Sequence, residues 1–264
     1  MMSDAFAYSH RRQSATFDRA FTLIELLVVI AILSMLLAVI VPSLRKVRHQ
    51  ARLVICSSNL RQIGVGIHSY ASEYDETIPF GPEAVPMPGQ NFYTATGNVT
   101  SLISLDNGDP VGLGLLLDGY LSDQPEVLFC PGTDQPSDAD DQLARFGKHQ
   151  AEGSYYYRHA SVALLNGRPD EFHVNLNALG RNRNGRPISA LVMDTQFLAH
   201  PSLEVWGVMT RTSHRQQACN VYYADGRVVR HDNAEAEFTV DIGSYPYDSL
   251  DKILQVFELA DERR

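Results

Sequence analysis

The chain has 264 residues, of which 44% are hydrophobic and 20% charged, and its formal net charge is -9. This composition excludes wholesale disorder, collagen-like repeats and a small disulfide-rich scaffold. The acidic balance argues against a general nucleic-acid binder, because a protein that neutralises phosphates needs a basic face. We therefore expect no nucleic-acid partner, and either one domain with appendages or two domains.

The most apolar stretch covers residues 21–41, where only Thr22, Glu25 and Ser34 are not apolar. At ~1.5 Å per residue, a helix of this length is roughly 31 Å long, which is close to the thickness of a bilayer hydrocarbon core. The run is too long for a cleavable secretory signal, and few soluble helices are apolar on every face. It predicts a single-pass transmembrane helix. A carboxylate inside such a segment costs ~2.5 kcal/mol or more, so Glu25 requires a partner.

Residues 20–30 (AFTLIELLVVI) resemble the N-terminal signature of type IV prepilins and type II secretion pseudopilins. The resemblance implies that prepilin peptidase removes a cytoplasmic leader, residues 1–20, by cutting between Ala20 and Phe21, and that the new amino group of Phe21 is methylated. It also implies that Glu25 pairs with the N-terminal amine of a neighbouring subunit. Such a pair fixes the register of assembly, because the two charges stabilise each other only when they meet. Ala20 stands where the family prefers Gly, so we expect slower processing.

Pro42 ends the uniform apolar run, and beyond it apolar residues recur every three or four positions. This spacing predicts that residues 42–76 continue the helix as an amphipathic segment whose apolar stripe lies on a sheet. Basic residues between positions 45 and 52 are interpreted as a collar at the membrane surface rather than as a nucleic-acid site.

The remainder, residues 77–264, is predicted to be an exported globular domain. A long loop region with at most one or two strands is expected over residues 79–110, followed by a short helix over 113–121 and a short strand over 127–130. A mobile loop is expected over 132–153 and a terminal helix over 250–259. Strand composition recurs at residues 154–159, 189–194, 204–209, 220–223 and 227–231. Asp225 and Gly226, between the last two, predict a hairpin turn. The fold class predicted is α+β and pilin-like, with a long N-terminal helix packed on an antiparallel β-sheet.

Three further segments, one in the predicted helix and two in the globular domain, resemble a group of large pilin-like proteins of planctomycete-type bacteria. They are residues 56–64 (CSSNLRQIG), residues 129–131 (FCP) and the C-terminal stretch 214–226. In that group a His is followed by nine residues and then by Asp-Gly. Here ten residues separate His214 from Asp225, which predicts a bulge or a shifted role for His214. The resemblance assigns no role to this C-terminal motif.

The chain has three cysteines. If the domain is exported, Cys56 and Cys130 are the pair expected to form a disulfide, because both lie in segments that carry the resemblance. Two reduced cysteines in the core explain the sequence nearly as well. Cys219 is expected to be a buried free thiol.

Acidic side chains cluster at residues 106–109 and 134–141, and Ca²⁺ accepts such oxygen ligands. Neither cluster follows a twelve-residue loop pattern, so solvated turns are favoured over a calcium site and no cofactor is expected. The scattered candidates for catalysis form no recognisable motif, and we expect no enzyme activity. These candidates are His159, Asp194, His200, His214, Asp225 and His231.

Together these features predict a structural subunit of a type II secretion pseudopilus or a type IV pilus-like filament. Its partners would be prepilin peptidase, the inner membrane and other pilin subunits, which it contacts through the N-terminal helix. The globular domain would lie in the periplasm or on the cell surface. The alternative is a membrane-tethered surface or binding protein that uses the prepilin pathway without building a filament, since the domain of about 190 residues is larger than a simple subunit needs.

Overall fold

A computed structural model describes residues 22–81, 99–121, 123–132, 139–159, 174–206, 209–243 and 249–263. The chain divides into two compact units, residues 1–47 and residues 48–264, which are considered separately. The predicted leader and its cleavage site, Ala20 and Phe21, lie outside the described residues.

A single long helix, α1 (Leu23–Glu73), contributes to both units and continues through Pro42. In the first unit every described residue is exposed, although most are apolar; Leu23, for example, is 88% exposed. The most apolar 18-residue window of α1 has a mean hydropathy of 3.1, and among the described residues α1 alone is long and apolar enough to cross a membrane. Apolar surface of this extent requires lipid or other apolar helices to cover it.

In the second unit, α1 buries one stripe. Cys56, Leu60, Ile63 and Ile67 have no exposed surface and stand four, three and four residues apart, which is the spacing of one helix face. The helix thus continues beyond Pro42 and buries one face there, and it ends at Glu73. Gly64, on the same face, allows close approach, because a Cβ atom there would lie 2.2 Å from the ring of Tyr222.

The stripe of α1 lies on a five-stranded sheet whose neighbouring strands are all antiparallel. Two short strands pair in parallel as a separate ribbon. The main sheet has the order β1-β2-β3-β5-β6, formed by β1 (Val99–Ser104), β2 (Ala151–Arg158), β3 (Ala190–Asp194), β5 (Ala218–Tyr223) and β6 (Val228–Asp232). The ribbon consists of β4 (Phe197–Leu198) and β7 (Val240–Asp241), and the remaining α-helices are α2 (Ala139–Arg145) and α3 (Ser249–Glu262).

Both faces of the sheet are covered, so most of its strands are buried along their whole length. Side chains alternate between the faces. Tyr155 and Tyr157 of β2 join the apolar cluster that includes the α1 stripe, whereas Tyr156 joins the cluster that includes Phe257 of α3. The predicted α+β fold, with a long N-terminal helix on an antiparallel sheet, is confirmed.

Three local predictions are wrong. Residues 127–130 and 204–209 were expected to be strands, but short 3₁₀ helices cover Pro125–Leu128 and Pro201–Trp206. Each helix begins at a proline, whose fixed φ suits the first turn of a helix and overrides the weak strand signal of a few apolar residues. The expected mobile loop over residues 132–153 contains α2 and the start of β2.

The hairpin between β5 and β6 is confirmed. Gly226 has a φ of 88°, a conformation that glycine adopts without strain. The Tyr223 N–H donates to the carbonyl oxygen of Arg227 at 2.9 Å and closes the turn.

A buried ion pair ties α3 to the sheet. Arg158, at the end of β2, donates through Nη1 to Oδ2 of Asp261 at 2.8 Å, and both side chains are almost fully buried. Asp261 also accepts hydrogen bonds from the backbone N–H groups of Ser189 and Ala190, at 2.8 and 2.9 Å. The carboxylate therefore satisfies several donors that are shielded from water.

We expect Asp261→Ala to lower the free energy of unfolding by ~3–5 kcal/mol, because it leaves the Arg158 charge buried without its partner. Chemical unfolding of the full chain in detergent measures this change. Glu237→Ala is the matched control, since Glu237 pairs with Arg263 at an exposed site and its loss has little effect on stability. Equal destabilisation by both variants would contradict the prediction.

His159 follows β2 and is buried against Gly81, where a Cβ atom would lie 2.1 Å from the imidazole Nε2. Burial lowers the pKa of His159 from 6.5 to about 3. The folded protein therefore holds the neutral ring, while the unfolded chain takes up a proton below pH ~6.5. The stabilisation is complete above that pH and is lost as the pH falls toward 3.

The free energy of unfolding should thus fall by up to ~1.4 kcal/mol per pH unit through His159 alone as the pH decreases from 6 to 4. We expect His159→Gln to reduce this slope by up to ~1.4 kcal/mol per pH unit, which corresponds to the uptake of one proton on unfolding. Chemical unfolding at several pH values measures the slope. His200→Gln, at an exposed histidine, should leave the slope unchanged. An unaltered slope in the His159 variant would show that burial does not shift this group.

Candidate functional site

Four polar side chains meet in the second unit, between α1 and the sheet. They are Cys56 of α1, Cys130 just after the 3₁₀ helix Pro125–Leu128, Asp194 at the end of β3, and His214 in the turn before β5. All four are buried, and one sulfur, nitrogen or oxygen atom of each lies within 4.8 Å of those of the others. Four chain segments that are distant in sequence therefore deliver potential metal ligands to one point.

The periodicities of helix and strand place the first two of these side chains. Cys56 is the first fully buried residue of the α1 stripe, one helical turn before Leu60. Asp194 follows Val192 by two residues, so both point to the face of the sheet that α1 covers. Asn220 of β5 donates to Oδ2 of Asp194 twice, from its backbone N–H at 2.8 Å and from its amide Nδ2 at 3.0 Å. These bonds fix the orientation of the carboxylate.

Polar contacts with α1 and a tight turn position Cys130. The amide Nδ2 of Asn59, one turn after Cys56 on α1, donates to the carbonyl oxygen of Phe129 at 3.1 Å. The Gly132 N–H donates to Sγ of Cys130 at 3.3 Å. Asn59 and Phe129 belong to two of the segments that carry the resemblance, and this contact joins those segments.

His214 enters the cluster from a strained turn. His214, Arg215 and Gln216 have φ values of 53°, 55° and 58°, so three successive residues that are not glycine adopt the left-handed conformation. Each costs ~1–2 kcal/mol relative to the right-handed form, and such strain persists where the surrounding structure imposes it, most often at functional sites. The His214 N–H donates to the carbonyl oxygen of Gly132 at 2.8 Å, and a Cβ atom at residue 132 would lie 2.4 Å from Nδ1 of the imidazole.

Within the cluster the polar atoms are close to one another. Sγ of Cys56 donates to Oδ1 of Asp194 at 2.8 Å and lies 3.4 Å from the hydroxyl of Tyr155. Nε2 of His214 lies 3.3 Å from Sγ of Cys130 and 3.4 Å from Oδ2 of Asp194. The imidazole therefore presents its Nε2 atom to a thiol and to a carboxylate.

Burial disfavours the anionic forms of these groups. The pKa of Asp194 is raised to about 7, mainly by burial and also by the neighbouring Cys130, while His214 opposes the change. Burial also raises the pKa of the Cys56 thiol well above its usual value. Negative charge on the cluster is costly unless a cation compensates for it.

The structure brings together three of the residues singled out from the sequence: Cys56, Cys130 and His214. Their fourth neighbour, Asp194, stood only among the scattered candidates, although an Asp that ends an otherwise apolar strand (ALVMD) is itself a signal of a buried carboxylate with partners. Cys56, Cys130 and Cys219 are not joined by a disulfide in this structure, and the disulfide between the first two stays a prediction.

The two ends of the C-terminal motif have separate positions. His214 lies in the turn before β5, whereas Asp225 and Gly226 form the turn after it, so the motif spans one strand with a turn at each end. Oδ1 of Asp225 accepts hydrogen bonds from the N–H and Nε of Arg227, at 3.2 and 3.1 Å. Asp225 acts as a turn former, as expected.

The acidic segments that were considered for Ca²⁺ contribute no second cluster of potential metal ligands in the part of the chain that the structure describes. In the first of them, Asp109 accepts a hydrogen bond from the amide of Asn107 at 2.7 Å within an exposed turn. Most of the second, residues 134–138, lies outside the described residues. Calcium binding at these turns stays untested.

A second candidate site lies at the start of α1. Oε2 of Glu25 accepts from the backbone N–H of Thr22 at 2.9 Å and from its hydroxyl at 2.8 Å, and the Glu25 N–H donates to the Thr22 hydroxyl at 3.3 Å. This is a capping box, which satisfies N–H groups that a helix N-terminus leaves free. The pattern Thr-x-x-Glu was readable in the sequence, where Glu25 was interpreted only as an assembly residue.

Comparison with known families supports the resemblance at the N-terminal end. Residues 17–41 match the family model described as a prokaryotic N-terminal methylation motif, and residues 45–99 match the model described as a protein of unknown function (DUF1559). No curated protein and no solved structure matches the chain significantly. Of the cluster, only Cys56 lies in a matched range, and the C-terminal motif lies outside both.

Proposed function

We propose that this chain, which belongs to the prepilin and pseudopilin family, is a structural subunit that prepilin peptidase processes and that assembles into a type II secretion pseudopilus or type IV pilus-like filament. The observation that carries the proposal is the first part of α1. Its residues from 23 to 48 are all exposed, and most are apolar. The matched methylation motif covers the same segment.

This surface is suited to two environments in turn. Before assembly, lipid covers it, and the apolar helix together with the prepilin motif is consistent with membrane anchoring. In a filament the corresponding helices of neighbouring subunits would cover it, without exposing apolar area to water. We place the globular unit outside the inner membrane, in the periplasm or on the cell surface.

Glu25 has two possible partners, and only one of them is in its own chain. In the isolated subunit Thr22 holds the carboxylate through the capping box. In the filament we propose that the N-terminal amine of a neighbouring Phe21 replaces or joins Thr22. A positive amine compensates the carboxylate charge in an apolar surrounding, which a neutral hydroxyl and an amide N–H do only in part.

Processing predicts a defined mature N-terminus. Mass spectrometry of the protein from membranes should find a chain that starts at methylated Phe21, and Ala20→Gly should raise the processed fraction because it restores the residue that the family prefers. A chain that keeps its first 20 residues in a host with an active prepilin peptidase would contradict the proposal.

Two variants separate the capping role of Glu25 from its role in assembly. Glu25→Gln keeps a side chain that can complete the capping box but removes the charge, whereas Thr22→Ala removes the cap, worth ~1 kcal/mol, and keeps the charge. We expect Glu25→Gln to abolish incorporation into sheared filaments and Thr22→Ala to retain most of it, as measured by immunoblotting of the filament fraction.

Both variants must first be shown to start at Phe21, so that a processing defect is not mistaken for an assembly defect. Normal incorporation of processed Glu25→Gln would refute the charge pairing. If the processed wild-type protein stays entirely with membranes when filaments are sheared off, the filament role is wrong and the tethered surface protein is the better description.

A further inference from the structure

We infer that Cys56, Cys130, Asp194 and His214 bind one Zn²⁺ ion, which fastens α1 to the sheet. The inference goes beyond the proposed filament role, since it concerns the interior of the globular unit. It depends on the geometry of a buried cluster that combines two thiols, an imidazole and a carboxylate within 4.8 Å.

The donor set selects the metal. Two thiolates and an imidazole favour a borderline-soft ion, and zinc in protein sites takes four ligands from cysteine, histidine and carboxylate side chains. Calcium and magnesium prefer oxygen ligands alone, so this cluster does not suit them. Closed four-ligand sites of this kind are structural rather than catalytic, because no position is left for water.

Two distances in the cluster are within the range that such a site requires, and all of its ligand atoms lie within 4.8 Å of one another. With bonds of about 2.3 Å to sulfur and about 2.0 Å to nitrogen or oxygen, the edges of a tetrahedron around zinc are roughly 3.3–3.8 Å. Nε2 of His214 lies 3.3 Å from Sγ of Cys130 and 3.4 Å from Oδ2 of Asp194. Sγ of Cys56 lies 2.8 Å from the other carboxylate oxygen, Oδ1, and the metal replaces the proton of that hydrogen bond.

Groups around the four ligands are arranged as supporting groups of a metal site. Asn220 donates two hydrogen bonds to Asp194, the Gly132 N–H donates to Sγ of Cys130, and the hydroxyl of Tyr155 lies 3.4 Å from Sγ of Cys56. Such donors orient ligands and stabilise their deprotonated forms. Asp194, Cys130 and Cys56 thus each have a hydrogen-bonding group next to the side chain that would bind the metal.

The negative charge of the deprotonated ligands also favours a divalent cation in the cluster. Zinc binds two thiolates, one carboxylate and one neutral imidazole, and the thiol protons go to solvent. The total charge on the cluster is then -1, compared with -3 for the same ligands without metal. The strained turn at His214 has a function in this scheme, since it aims Nε2 at the point where the other three ligands converge.

The test uses the full chain, purified in detergent through a tag without histidine, reduced, incubated with Zn²⁺ and then freed of excess metal over a weak chelator. We expect about one zinc per chain by elemental analysis. Co²⁺ in place of Zn²⁺ should give the intense visible absorption of tetrahedral cobalt and a thiolate charge-transfer band.

Ligand variants Cys130→Ser and His214→Ala should lose the metal and the cobalt spectrum, while Cys219→Ser should keep both, because Cys219 is buried nearby but outside the cluster. A second pair of variants, which leaves all four ligands in place, distinguishes loss of zinc binding from loss of the fold. Asn220→Ala should weaken zinc binding ~10–100-fold with the ligands intact, as is usual for an orienting partner. Tyr156→Phe, on the opposite face of the sheet, should have no effect.

Three results would overturn the inference. The first is wild-type protein that holds far less than one zinc per chain, and the second is ligand variants that retain wild-type zinc and a native circular dichroism spectrum. The third is a Cys56–Cys130 disulfide in protein isolated from its exported location, found by alkylation and peptide mass spectrometry without reduction, because oxidised sulfur atoms cannot serve as thiolate ligands.

Discussion

The contact between one stripe of α1 and the face of the sheet is the constraint on which the globular unit depends. Leu60, Ile63 and Ile67 are fully buried there, and each contributes ~1.5–3 kcal/mol by leaving water. Gly64 allows the helix to approach the ring of Tyr222 closely. Because the stripe begins at Cys56, the same packing that stabilises the domain also fixes one thiol over the end of β3.

The position of Cys56 has consequences for three other segments. β3 must end with its carboxylate on the α1 side, the segment after Pro125–Leu128 must return to the helix, and the chain before β5 must turn left-handed to bring His214 inward. None of these follows from apolar packing alone. A polar centre inside an otherwise apolar interface is expensive unless its members satisfy one another, so the four segments are mutually dependent.

Sequence periodicity predicted much of this architecture, and it failed where prolines or contacts between distant residues determined the structure. The apolar run, the change to an amphipathic stripe and the hairpin at Gly226 are local patterns, and all three appear in the structure. The strands expected at residues 127–130 and 204–209 were short apolar runs. Prolines at positions 125 and 201 start 3₁₀ helices there instead. Asp194 was visible as a residue but not as a partner, because contacts over 138 residues, such as that with Cys56, leave no periodic trace.

Three residues of the cluster nevertheless lie in segments that the sequence analysis singled out. The segments containing Cys56, Cys130 and His214 resemble one group of proteins but have no common spacing that a single helix or strand could explain. In the structure these segments converge, and each delivers one polar side chain to the same buried cluster. The Asp225-Gly226 turn fits this account, since it closes β6 onto β5, the strand that carries Asn220 to the carboxylate of Asp194. Within the globular unit, α1 is therefore joined to the sheet by a polar centre that reaches across β3 and β5.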